Sequence, residues 1–118
     1  MNSGRWTVIY YSSKDGQPVV TEEIKSFSPK AIAKIVRTIN LLSEIGILIG
    51  GDYVDHISEK LWELRVDRYR VLYFMVTGRK FVMLRAFIKK TRKTPIGEIR
   101  IAETRINDYL EQFGENNG

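Results

Sequence analysis

Cysteine is absent from the 118 residues, which excludes disulfides, thiolate metal sites and a cysteine nucleophile. The single histidine, His56, has no second histidine to complete a zinc centre or a two-histidine nuclease. Long apolar runs are missing too. The longest stretches free of charge, Trp6–Ser13 and Val71–Gly78, have eight residues each, well short of the about 20 that a membrane-spanning helix needs. The first residues carry Arg5 and then a β-like run, without the apolar core and cleavage site of a secretory leader. No glycine-rich phosphate loop is present, and no pair of carboxylates stands out as an acid–base dyad. The expectation is one soluble, cytoplasmic domain spanning residues 1–118, with neither metal nor other cofactor and no membrane partner.

At 43% hydrophobic and 28% charged residues, the chain can bury a core and does not have the composition of a disordered one. Its formal charge of +5 is unevenly spread. Between Lys60 and Arg105 thirteen Lys and Arg face four Asp and Glu, whereas the rest holds six basic and ten acidic side chains. A local +9 beside a −4 remainder suits a polyanion such as nucleic acid, through steering and counterion release. A solvated basic face without a partner gives the same count, so spacing must decide.

Trp6 to Tyr11 is aromatic and β-branched and ends in Ser-Ser-Lys-Asp-Gly, a strand and its turn. Pro18 opens a short helix with Val20, Ile24 and Phe27 on one face. Ser28-Pro29 starts a second helix, since serine caps free N–H groups and proline has its dihedral preset. Ile32, Ile35, Ile39 and Leu42 form its apolar stripe, which should stop near Gly46. Residues 46–57 read as a loop broken by Gly50-Gly51-Asp52.

In the next segment Trp62, Leu64 and Val66 alternate with Glu63, Arg65 and Asp67, the mark of a half-buried strand. Tyr69–Val76 is nearly all apolar, Thr77-Gly78-Arg79 turns the chain, and Lys80–Ile88 completes an antiparallel three-stranded meander. Lys89–Lys93 is a basic run. Thr94-Pro95 opens a last helix with Ile99, Ala102, Ile106, Tyr109, Leu110 and Phe113 facing the core, and Asn116-Asn117-Gly118 should fray. The order predicts an α+β fold, with an N-terminal strand, a helical hairpin, the meander and a C-terminal helix. Helices should pack on one face of the sheet and leave the other partly open.

Three basic groups converge in this topology: Arg65, Arg70 and the Lys89–Lys93 run, which enters a helix N-terminus where an anion is favoured. Arg70 stands out, because a charge within an otherwise apolar strand is costly without a reason. Tyr69 and Tyr73 offer rings for stacking or hydroxyls for proton transfer. Such a face suits a phosphodiester, whose transition state concentrates negative charge. Arg65 can instead pair with Glu63 or Asp67, Tyr73 can be core, and His56 beside Asp55 reads as a surface residue.

The runs LWELRVDRYRVLYF (61–74), FVMLRAFIKKTRKTP (81–95) and EIRIAETRINDYL (98–110) together resemble the phage-derived, HigB-like branch of the RelE/ParE toxin superfamily. The resemblance covers most of the chain and implies a RelE-like fold and a type II toxin. It implies an mRNA endonuclease acting in the ribosomal A site, in contact with rRNA, and neutralised by a cognate helix-turn-helix antitoxin. There the RNA 2′-hydroxyl attacks the adjacent phosphate without a metal, leaving a 2′,3′-cyclic phosphate and a 5′-hydroxyl. Arg70 matches the arginine that opens the family's YR-L-Y strand and should stabilise that phosphate. The resemblance implies a catalytic set of Arg65, Arg70, Lys90, Lys93 and Tyr69, with Arg68, Arg85, Lys89 and Arg92 binding RNA. Glu63 stands where some ribosome-dependent members carry a lysine, and Ile96, Gly97 and Ile99 occupy the stretch where a RelE-type tyrosine would lie. A ParE-like protein that inhibits DNA gyrase without cutting RNA, and an inactive relative, remain alternatives because one fold hosts all three.

Overall fold

A computed structural model of the chain describes residues 5–114, the side chain of Ile47 excepted; the expected frayed end, Asn116-Asn117-Gly118, lies outside them. Strand β1 (Thr7–Tyr10) leads to the short helix α1 (Val19–Lys25) and the long helix α2 (Pro29–Ile45). Strands β2 (Val54–Ser58), β3 (Leu61–Val66), β4 (Tyr69–Val76) and β5 (Lys80–Ile88) follow, and helix α3 (Ile96–Phe113) comes last. The five strands form one sheet in the order β1-β5-β4-β3-β2, antiparallel except where β1 runs parallel to β5. The expected α+β architecture is present.

Helix α2 shows why the sequence folds this way locally. The Ser28 hydroxyl accepts from the Ala31 N–H at 3.2 Å, and Pro29 occupies the first turn. Of the expected stripe Ile35, Ile39 and Leu42 are buried and Ile32 is half-buried against the core, with Ala31 buried beside them. The helix stops at Gly46, whose φ of +59° favours glycine. A Cβ there would lie 2.7 Å from the Trp6 indole nitrogen, so the close approach requires glycine as well.

Three expectations need correction. Residues 46–57 are not all loop: a 3-10 turn spans Gly46–Ile49, and β2 pairs along the outer edge of β3. The helices do not leave one face open. Four consecutive residues of β4, Val71–Phe74, are buried, which requires cover on both faces. Phe74 meets Tyr109 of α3 at 5.9 Å on one face, while Tyr69 meets Phe27, between α1 and α2, at 4.8 Å on the other. Phe113, expected in the core, is 47% exposed at the last residue of α3, where its ring packs on Tyr109 at 4.9 Å.

Where β1 ends, side chains continue its ladder. The Ala86 N–H on the uncovered edge of β5 donates to Glu23 Oε1 at 3.0 Å, and the Leu84 carbonyl accepts from Arg105 Nη1 at 2.7 Å. Glu23 Oε2 pairs with Arg85 at 2.7 Å and Arg105 at 2.9 Å, and Arg85 reaches Glu98 at 2.6 Å. This network ties α1 and α3 to the sheet edge and satisfies backbone groups that a buried edge would leave unpaired.

Candidate nucleic-acid interface

Register places Arg65 of β3 directly opposite Arg70 of β4, so both guanidinium groups rise from one face of the sheet. Two like charges so placed repel, and each has its own acid. Arg65 Nη1 pairs with Asp55 of β2, and its Nη2 donates to the Gly51 carbonyl. The sequence suggested Glu63 or Asp67 as partners for Arg65; Asp67 instead pairs with Lys34 at 2.8 Å. Arg65 thus clamps the segment before β2 onto the sheet.

Arg70 is held differently. Its Nη1 donates to the Asp67 carbonyl at 2.6 Å and to the Tyr69 carbonyl at 2.8 Å, curling the side chain toward the β3–β4 turn. Its Nε lies 3.7 Å from Glu63 Oε1, too far for a hydrogen bond, and is a buried nitrogen with no partner. Glu63 is 1% exposed, and its other oxygen accepts the Thr94 hydroxyl. Among the described residues Arg70 Nη2 makes no hydrogen bond, so the guanidinium keeps donors for a ligand.

The basic run connects β5 to α3 beside this face. The Lys89 N–H donates to the Arg68 carbonyl at 2.8 Å, joining the run to the β3–β4 turn. Lys90, Arg92 and Lys93 are exposed, and the Thr91 hydroxyl donates to the Lys93 carbonyl at 2.7 Å. The geometry therefore gathers Arg65, Arg70 and the run at one end of the sheet.

The other expected residues lie elsewhere. Tyr69 points to the opposite face, toward Phe27. Tyr73 is 3% exposed against Phe81, and burial pushes its hydroxyl well above the usual tyrosine range. It is a core residue and not a proton carrier at neutral pH. Arg85 has its guanidinium engaged by Glu23 and Glu98. His56 is exposed, stacked on Trp62 at 4.6 Å with a nitrogen 3.2 Å from the Glu59 carbonyl. Among the described residues no three His, Cys, Asp or Glu side chains group to hold a metal ion.

Sequence reasoning missed two features. One is Glu63, whose burial depends on Thr94 approaching from a segment 31 residues away. The other is a basic stripe on α2, Lys30, Lys34 and Arg37, whose spacing of four and three residues was legible. The stripe borders two adjoining clefts of about 460 and 230 Å³ that share Lys34 and Asp67. Arg68 and Tyr69 line the smaller cleft, with Lys30 and Ser28.

The profile of the family described as Phage derived protein Gp49-like (DUF891) matches residues 22–107. Among solved structures, the chain is similar to one in the toxin–antitoxin complex RelBE2 from Mycobacterium tuberculosis. The TM-score is 0.55 at 18% identity, covering 72% of this chain and 99% of that one. That likeness is one of fold. No curated relative matches the chain.

Proposed function

Because the chain belongs to the phage-derived Gp49-like family and has the fold of a RelE-type toxin, we propose that it is a type II toxin. It is a ribosome-dependent mRNA endonuclease, held inactive by a cognate antitoxin. The observation that carries the reading is Arg70: a guanidinium anchored by two backbone carbonyls and the buried Glu63, with Nη2 unengaged. A fixed cation with spare donors is what a phosphodiester requires as charge builds on its oxygens. The RNA 2′-hydroxyl would attack the neighbouring phosphorus and release its proton to solvent water, while Arg70 holds the phosphoryl oxygens. Lys90 and Lys93, exposed on the adjoining run, would hold the flanking phosphates and supply a proton to the 5′-oxygen as it leaves. Arg68, Lys89 and Arg92 would contact the RNA backbone, whereas Arg85 supports the site through the fold.

The test is the chemistry of the ends. A purified translation system given the protein should yield mRNA fragments with 2′,3′-cyclic phosphates and 5′-hydroxyls, and only when ribosomes are present. Fragments with 5′-phosphates, or equal cutting of naked RNA, would overturn the reading. One observation favours a second reading, a toxin that poisons its target without cutting. Tyr73 is sealed in the core and Tyr69 faces away from Arg70, so neither supplies the base beside the arginine. Growth arrest with intact mRNA and inhibited DNA gyrase would select that reading.

A further inference from the structure

Ser28-Pro29 and Thr94-Pro95 both lead into helices, but the two hydroxyls do different things. At α2 the Ser28 hydroxyl accepts from the Ala31 N–H. At α3 the capping position is Pro95, which has no side-chain acceptor, and no side chain caps the first turn. The Thr94 hydroxyl turns away from the helix and donates to Glu63 Oε2 on β3. A hydroxyl at a helix start ordinarily satisfies free N–H groups; here it fastens the chain to the sheet instead.

The segment it fastens carries the cations. Lys89, Lys90, Arg92 and Lys93 stand beside Arg65 and Arg70, and like charges this dense repel one another. None of the four forms an ion pair among the described residues. Two hydrogen bonds tie the segment to β3 and its turn. The Lys89 N–H donates to the Arg68 carbonyl at 2.8 Å at one end, and Thr94 holds Glu63 at the other. Between them the Thr91 hydroxyl closes the run on itself through the Lys93 carbonyl. Glu63 is the common point, since its other oxygen lies 3.7 Å from Arg70 Nε.

We infer that Thr94 is a positioning residue, whose hydroxyl acts through Glu63 to hold Lys90 and Lys93 in a fixed place relative to Arg70. It touches no substrate atom itself. With the tether, the arginine and the lysines meet one phosphate together. Without it the run is tied at Lys89 alone, and its lysines reach the leaving oxygen in only part of their conformations, which slows a reaction that depends on alignment. The effect on rate rests on the nuclease reading, whereas the tether does not.

The test compares Thr94→Val and Thr94→Ala, which remove the hydroxyl, with Thr94→Ser, which keeps it. On purified ribosomes, well below each protein's melting temperature, the first two should lower kcat for mRNA cleavage about tenfold or more with KM little changed. Thr94→Ser should restore the rate. Amide relaxation by NMR on the free proteins gives a readout that needs no cleavage. Order parameters at residues 90–93 should fall below about 0.6 in Thr94→Val and Thr94→Ala, and stay near about 0.85 in wild type and Thr94→Ser. Cleavage unchanged without the hydroxyl, or lost equally in Thr94→Ser, would overturn the inference. A wild type that cuts no mRNA would fail the nuclease reading by itself, and the amides would then decide. A run as ordered without the hydroxyl as with it overturns the tether; a loosened run upholds it.

Discussion

Glu63 Oε1 lies 3.7 Å from Arg70 Nε, and the acid is almost wholly buried at 1% exposure while the arginine keeps 13%. The carboxylate's other oxygen takes the Thr94 hydroxyl, so one buried acid links the arginine to the segment that carries the lysines. An acid beneath an arginine weakens the local positive field but fixes the guanidinium in place. The position of Arg70 is therefore set from below by Glu63 and from the side by the backbone of the turn.

Removing that acid should cost more than deleting a surface pair. Glu63→Ala leaves Arg70 half-buried with its main countercharge gone, and should lower unfolding free energy by roughly 2–4 kcal/mol. Glu63→Gln keeps an acceptor for Thr94 and should lose less. Urea denaturation of both variants checks the order, and equal losses would show that charge, not the hydrogen bond, matters.

Glu23 holds two arginines and one strand-edge N–H at once. Glu23→Ala should destabilise by about 2–4 kcal/mol, because Arg85, Arg105 and the Ala86 N–H all lose a partner. Hydrogen exchange at Ala86 should accelerate with it. Unchanged exchange there would contradict the role of Glu23 as the edge's acceptor.

Gly46→Ala forces a side chain into left-handed backbone and against Trp6, whose ring is stacked on Phe81 at 4.3 Å. The combined strain should cost about 2–4 kcal/mol in urea unfolding. Gly16→Ala has the same kind of φ but open space around it, and should cost only about 1 kcal/mol.

Burial pushes the Tyr11 hydroxyl up to about 12, and its hydrogen bond to Asp108 adds to the rise. The unfolded hydroxyl ionises near 10.0. The native state thus keeps a proton that the unfolded chain loses, so this stabilisation is complete below pH 10 and fades as pH rises to about 12. The stability gap between wild type and Tyr11→Phe should narrow over that window. A gap that stays constant would mean Tyr11 titrates alike in both states.

Local signals made much of this fold legible. Ser28-Pro29, the Ile35/Ile39/Leu42 stripe and the Trp62/Leu64/Val66 alternation encode their elements within a few residues. Strand β2 was not legible, since Val54-Asp55-His56-Ile57-Ser58 is short and polar, and it gains its partners only from β3. The covered second face escaped notice for a related reason: β4 reads as apolar throughout, which fits a buried strand but does not say which helix covers which side. Arg70 was legible as a charge out of place. Glu63 was not, because its polar position in an alternating strand looks solvent-facing until Thr94 and Arg70 close over it.

The measurement that tests the central claim most directly is cleavage of end-labelled mRNA on purified ribosomes by wild type, Arg70→Ala and Arg65→Ala. Arg70→Ala should slow cutting by about two to three orders of magnitude, as loss of a transition-state donor does, with the protein still folded. Arg65→Ala should lose less, since both its terminal nitrogens already serve Asp55 and Gly51. Cutting that survives Arg70→Ala, or that depends more on Arg65 than on Arg70, would contradict the account.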